Sequence, residues 1–305
     1  MANYILRRIL YIIPSLLGIF VACFFITRLS GDPTTLFLPV DATEQAKQAF
    51  RIKNGLDRSL FEQFITFFFK AFHGDFGNSL RFGEPAVSLL FERLGATLEL
   101  AVTTLAIALA VGIPAGIGSA YYRNTWIDYL IRGIAALSQA VPTFFLDVVA
   151  ILIFSVTLHW LPTGGMGGLL HLIMPSITLS ATLIALLARV MRSTTLDVLR
   201  QDFVRTARAK GLSELLVVTR HVARNAFIPV MVVIALQFGV LMGGVIITET
   251  VFSWPGIGRL AIQAIYARDY PVVQVVVFFF AVIFILANFA ADVLSALLDP
   301  RIRLK

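Results

Sequence analysis

Six apolar segments, each close to the thickness of a bilayer's hydrocarbon core, constrain this chain more than any other feature. A helix needs about 20 residues to cross that core. The segments near 9–28, 97–121, 133–157, 172–190, 227–248 and 272–294 reach or nearly reach that length. In hydrocarbon the backbone N–H and C=O groups must find partners within the chain, so such runs fold as helices. Composition agrees. The 305 residues are 58% hydrophobic and only 14% charged, where a soluble domain carries about 25% charge. The expected fold is an all-α membrane protein with six transmembrane helices.

The basic residues give direction. The net charge is +7, but the Lys and Arg side chains sit at the ends of apolar runs, where they orient spans. Nucleic acid is therefore excluded as a partner. Arg7 and Arg8 precede the first span; Arg123 and Arg132 lie in the 122–132 loop. Arg192, Arg200, Arg205, Arg208, Lys210, Arg220 and Arg224 lie in the 191–226 loop, and Arg301, Arg303 and Lys305 in the tail. With six spans all four clusters fall on one face. The opposite short loop, 158–171, has no Lys or Arg. Cytoplasmic loops are enriched in these residues, so both termini are expected in the cytoplasm. The run Ile9–Ile26 is too long for a signal-peptide core and no A-x-A site follows, so the first span is read as retained. The single cysteine, Cys23, lies in that run and says little of redox compartment.

Four segments follow: a first span over 1–30, an extracytoplasmic helical loop over 31–96, a five-helix core over 97–298 and a tail over 299–305. In the loop, Thr43 to Asn54 reads as a helix stopped by Gly55. Ser59 and Glu62 form a capping box opening a helix to about Phe72. Gly74, Gly77 and Gly83 mark turns, and Pro85 suits the start of a third short helix. The loop serves either packing or docking of a substrate-delivering protein.

Within the spans, Gly112–Gly116 and Gly239–Gly243 are G-x-x-x-G pairs, which let helices approach closely, inside one chain or against a second. Pro14, Pro114, Pro142 and Pro175 can kink their helices, which suits a bundle that opens and closes. Ionisable groups inside spans are costly unless paired. Asp147 is the deepest. It could line a pathway and meet a substrate amine, or pair with a Ser, Thr or Gln of a neighbouring helix. Gln139 and Gln237 join it as pathway candidates. Glu99 and Asp292 lie nearer span ends, and Arg189 can snorkel.

Residues 202–229 form a polar island. Asp202 can cap a helix running to Lys210; Gly211 ends it; Ser213 caps the next, with Glu214 in its first turn. Val204, Ala207 and Gly211 share one face, leaving room for a partner, and Arg205 and Arg208 share another.

This island resembles the cytoplasmic "EAA" loop of ATP-binding-cassette importer permeases, whose helix-glycine-helix docks in a cleft of the ATPase subunit. Gly211 matches the family glycine and Ala207 its second alanine. Arg205 replaces the acidic residue, and Pro229 lies farther from the glycine. The runs R-T-A-R-A-K-G (205–211) and R-N-A-x-x-P (224–229) are the form of the peptide-permease branch. L-R-R-I-L near the N-terminus, Gly31-Asp32-Pro33, Gly55-Leu56-Asp57, Gly74-Asp75-Phe76-Gly77, Trp160-Leu161-Pro162 and Asp299-Pro300-Arg301 are similar to that branch too. The most specific run is E-T-V-F-S-W-P-G-I-G-R-L, Glu249 to Leu260. Over nearly its whole length the chain is similar to the first permease of dipeptide/oligopeptide importers, whose relatives also carry glutathione or nickel complexes.

The resemblance implies a second permease, with the family pattern favouring a heterodimer, two ATPase subunits and an extracytoplasmic binding protein. It implies ATPase coupling through Arg205, Ala207, Arg208, Lys210, Gly211, Leu212 and Ser213. Glu249, Phe252, Trp254 and Pro255 are candidates for an outer gate. No cofactor is expected in this chain, since no G-x-x-x-x-G-K-[ST] run is present; ATP and Mg belong to the partner ATPases. H-E-x-x-H and G-x-S-x-G are also absent, and His73, His159, His171 and His221 lack metal-ligand spacing, so no enzyme is expected. An ion-coupled secondary transporter remains the alternative from composition alone, although the paired repeats common in that class are not evident.

Overall fold

The apolar segments fold as helices that outrun their hydrophobic stretches. The computed structural model describes residues 2–29, 31, 32, 34–39 and 41–298. In chain order the helices are α1 (Ala2–Leu29), α2 (Thr34–Phe37), α3 (Glu44–Lys53), α4 (Leu60–Phe72), α5 (Ala86–Tyr121), α6 (Trp126–Ala140), α7 (Thr143–Ala150), α8 (Leu169–Leu199), α9 (Asp202–Ala209), α10 (Glu214–Leu216), α11 (Ala223–Val251), α12 (Ile257–Tyr266) and α13 (Tyr270–Leu298). Two π-helical stretches, Ile151–Thr157 and Val217–Val222, continue α7 and join α10 to α11. No strand occurs among the described residues. The tail from Asp299 lies outside them.

Among the described residues five helices are long and apolar enough to cross a membrane, and a sixth span is counted if one bent pair is taken as one. That pair is α6 with α7 and its π-helical continuation, bent by 97°. The span expected over 133–157 is thus broken at Pro142, one of the prolines expected to kink its helix. Proline has no N–H to continue the helix, and its ring drives the preceding residue out of the helical region. Val141 is extended at φ −92°, ψ 125°, and Pro142 caps α7 at ψ 139°.

Two other expectations shift. The third short helix expected at Pro85 is the opening of α5, which runs unbroken from Ala86 to Tyr121, so residues 86–96 belong to that helix rather than to the loop. The second helix of the island, α10, passes through the π-helical stretch into α11, so island and fifth span are continuous helix. Chain packing also divides differently from the four expected segments. Of the described residues, one unit holds those in 7–97 and 255–283; the other holds 2–6, 98–254 and 284–298.

In the first unit, phenylalanines join α1, α4 and α13: Phe20 stacks on Phe67 at 4.8 Å between centroids and meets Phe278 edge-on at 5.8 Å. Leu89, Leu90, Ile257, Leu260, Val272 and Val276 form a buried core. The local signals read from sequence are present. Thr43 accepts from the Ala46 N–H at 3.2 Å, and Ser59 and Glu62 make a reciprocal capping box. Gly55, Gly74, Gly77 and Gly83 all have positive φ. The turn after Asn78 hangs on buried Asp269, which accepts from the Ser79 hydroxyl at 2.5 Å and the Leu80 N–H at 3.0 Å. Burial opposes ionisation of Asp32, yet hydrogen bonds from Thr34 and Arg51 outweigh it and hold the carboxyl below its ordinary range.

In the second unit, α5 and α8 touch along the first glycine pair. A Cβ on Gly112 would lie 3.0 Å from the Ile184 carbonyl oxygen, and one on Gly116 only 2.6 Å from that of Ala188. This pair serves packing within the chain. The second pair divides: Gly239 meets Ala287, whereas Gly243 has nothing within 4 Å. Gly116→Val should therefore cost about 1–3 kcal/mol through overpacking, read as a lower melting temperature in detergent. Gly118, with nothing within 4 Å, provides the control, because Gly118→Val alters helix propensity without the contact. Equal melting of the two variants would remove the close-packing explanation.

Candidate functional site

The island is built by a helix end. The Gly211 N–H donates to the Arg208 carbonyl at 2.9 Å and the Leu212 N–H to that of Ala207 at 3.4 Å. These are the two bonds of a Schellman arrangement, which needs a left-handed residue just past the cap. Gly211 supplies it at φ +75°. Lys210 is the C-cap as expected. At the other end Gln201, not Asp202, holds the N-cap position, with Asp202 in the first turn. Ser213 sits at the N-cap of α10 without a side-chain cap bond.

The faces of α9 are used differently from the expectation. Val204 and Ala207 are buried within the chain itself, as are Val217, Val218 and Val222 of the π-helical stretch. The small-residue face therefore fastens α9 to its own chain. What remains outward is charged and polar: Arg205, Arg208, Lys210, Gly211 and Ser213 are exposed, and Leu212 is half-buried. Arg208 is bound to Glu214 through two bonds of 2.6 and 3.0 Å, so it closes the island internally. The Glu214 carboxylate raises the already high pKa of Arg208. Arg205 makes only a loose surface contact of 3.6 Å with Asp202. In the second half of the island, Arg220, His221, Arg224 and Asn225 line a basic groove.

Of the three pathway candidates the structure brings together two. Gln139 and Gln237 line one cavity of about 330 Å³, with Thr143, Thr182 and several leucines. Asp147 is not in that lining. It is fully buried and accepts from the Thr248 hydroxyl at 3.0 Å, which is the pairing with a neighbouring helix. Arg189 does not simply snorkel: its guanidinium donates to the Gln139 side-chain oxygen.

The gate candidates are packed rather than exposed. Glu249, Phe252 and Trp254 are buried, and Pro255 is half-buried. The Trp254 N–H donates to the Glu249 carbonyl at 2.8 Å, and the Gly165 N–H to that of Phe252 at 2.7 Å. Phe252 packs with Ala150 and Met174, and Gly164 approaches so closely that a side chain there would strike the Phe252 backbone. If this turn opens during transport, Phe252→Cys should react slowly with an impermeant thiol reagent at rest and several-fold faster when an ATP analogue is bound. Equal rates in both states would mark a static turn.

One constellation was missed from sequence. Asp128, in the first turn of α6, is fully buried and receives the Arg192 guanidinium through bonds of 2.9 and 2.8 Å. The Ser119 hydroxyl (2.6 Å) and the Asn124 N–H (3.1 Å) complete its shell. From sequence Arg192 reads only as a charge of the 191–226 loop. An acid at the start of an apolar helix was the available signal. Among the described residues no three His, Cys, Asp or Glu side chains gather as a metal site would require.

A family model described as "binding-protein-dependent transport system inner membrane component" matches residues 112–304. The chain is 43% identical over 306 residues to the glutathione transport system permease protein GsiC of Escherichia coli strain K12, covering 100% of both chains. The protein of the same name from Shigella dysenteriae serotype 1 gives the same figures. Among solved structures, the chain resembles an inward-facing MetNI methionine ABC transporter with a TM-score of 0.59 and 19% identity, over 70% of this chain and 97% of that one.

Proposed function

The chain belongs to the family of binding-protein-dependent transport system inner membrane components, and from that premise we propose how it is driven and what it carries. It is a multi-pass inner-membrane permease of an ATP-binding-cassette importer. The solute is a di- or oligopeptide or peptide-like molecule. Glutathione is the leading instance, because that is what the printed name of the 43% identical permease specifies; nickel complexes are the further member of the class.

In this reading the bent pair counts as one of six spans, both termini and the island are cytoplasmic and the α2–α4 segment is outside; the Lys and Arg of the short loops support that orientation. The single observation that carries the coupling reading is the outward face of the α9–Gly211–α10 turn, fastened by its inner face and charged on its outer one. The turn docks on ATPase subunits. ATP and Mg bind there, and this chain performs no chemistry. Gln139 and Gln237 line part of the pathway, and the Glu249–Pro255 turn forms part of the outer gate. A second permease, in a heterodimer, completes the pore, and an extracytoplasmic binding protein delivers the solute.

The test is uptake into proteoliposomes holding both permeases, the ATPases and the binding protein. Labelled glutathione and a labelled tripeptide should accumulate only when ATP is supplied on the ATPase side. Accumulation driven by an ion gradient without ATP would favour a secondary transporter instead. ATP-driven uptake of neither solute would remove the peptide assignment.

A further inference from the structure

We propose that Arg189, with Gln139 and Gln237, forms a subsite for a solute carboxylate at the 330 Å³ cavity. The inference rests on the reading of that cavity as part of the pathway and adds the charge that it selects.

Three observations point to it. The first is position. Thr182 and Leu186 of α8 line the cavity, and Arg189 lies three residues beyond Leu186 and seven beyond Thr182, on the same helix face. Arg189 is not itself a lining residue, but its guanidinium donates to Gln139, which is, so it lies one side chain away from the cavity. The second is the missing counter-charge. Among the described residues no carboxylate pairs with Arg189. Two acids of the same unit are engaged elsewhere, Asp128 with Arg192 and Asp147 with Thr248. An exposed, unpaired cation within a span faces a cavity or a partner and marks a functional position. The third is the chemistry of the lining. Gln139, Gln237, Thr143 and Thr182 are its polar members, with no acid among them. Each can donate a hydrogen bond, and a carboxylate accepts only. A guanidinium offers two parallel donors that fit the two carboxylate oxygens. An amine would find no anion here.

Peptides and glutathione carry free carboxylates, so the subsite fits the solute class already proposed. Arg189 would release its bond to Gln139 and take the solute carboxylate, leaving both glutamine amides to donate alongside. The site is weak by design of its parts. A single guanidinium with no second cation beside it in the lining holds a carboxylate less tightly than a cluster would, as a pathway requires.

The experiment uses a cysteine as a reporter inside the cavity. The native cysteine, Cys23, is buried and is replaced by alanine, and Thr182→Cys is introduced. The assembled transporter in proteoliposomes is treated with a sulfonate-bearing or a trimethylammonium-bearing methanethiosulfonate, and labelling of this chain is read by mass. With Arg189 present the anionic reagent should be favoured, and Arg189→Gln should lower the ratio of anionic to cationic labelling rates by about tenfold, while Arg189→Lys keeps most of it. S-methylglutathione or trialanine, delivered by the binding protein, should slow labelling. A ratio unchanged by Arg189→Gln with protection intact would overturn the subsite and leave the pathway reading standing. Absence of protection by either solute, or a cysteine unreachable by both reagents, would overturn the pathway reading and the subsite with it.

Discussion

Gly211→Trp should abolish ATP-driven uptake while the permease still inserts at normal levels. The glycine stands at φ +75°, a conformation costing an L-residue roughly 1–2 kcal/mol. That strain is small beside the packing of the spans, so folding survives. A Cβ at Gly211 meets nothing within 4 Å, so the indole extends outward from the island rather than into the chain. If the ATPase covers this turn, the indole occupies its place. Gly211→Asn separates the two effects, because asparagine enters the left-handed region readily and is small. The asparagine variant should keep most of its uptake, and the tryptophan variant should also lose stimulation of ATP hydrolysis by the loaded binding protein. Normal uptake with tryptophan would end the docking assignment. Equal loss with asparagine would place the defect in the backbone and not in the surface.

Arg192→Met should destabilise the permease by about 3 kcal/mol, the lower end of the cost of removing one partner from a buried ion pair, since Arg192 itself keeps some exposure. Asp128 has no exposed surface, and methionine would leave its charge with only the Ser119 hydroxyl and the Asn124 N–H. Asp128→Asn combined with Arg192→Met removes the charge as well as its partner and should recover much of the loss. Melting in detergent, followed through a fluorescent-protein fusion, reads both variants. The pair also has a mechanical role. It joins the first turn of α6 to α8, the helix that leads directly into α9. A single variant melting like the parent chain would show that the pair contributes nothing to the fold.

These two sites illustrate what was legible in the sequence. The capping box at Ser59, the stop at Gly55 and the turn at Gly211 depend on residues a few positions apart, and each is present. The apolar lengths announced the spans for the same reason. The 97° bend at Pro142 was only half legible, since proline marks a weakness in a helix and tertiary packing decides how far the chain turns there. Asp128 and Arg192 are separated by 64 positions, and Arg189 and Gln139 by 50. No local pattern reports such pairings. The buried face of α9 was misread for a related reason: small residues permit close approach, but the partner they approach is the chain's own π-helical stretch.

The continuity of α10 and α11 has a consequence for timing. From Glu214 to Val251 the chain is helical throughout, with the π-helical stretch and Pro229 inside it; at 1.5 Å per residue its path is about 57 Å. The turn at Gly211 is at one end and Phe252 is at the other. A tilt imposed at the first end reaches the second to the extent that the π-helical stretch and Pro229 do not absorb it. The order of events then depends on where the segment pivots. Residues near its middle, such as Gly239 against Ala287, set how far each end travels, so a bulkier contact there should alter the stroke without touching either end.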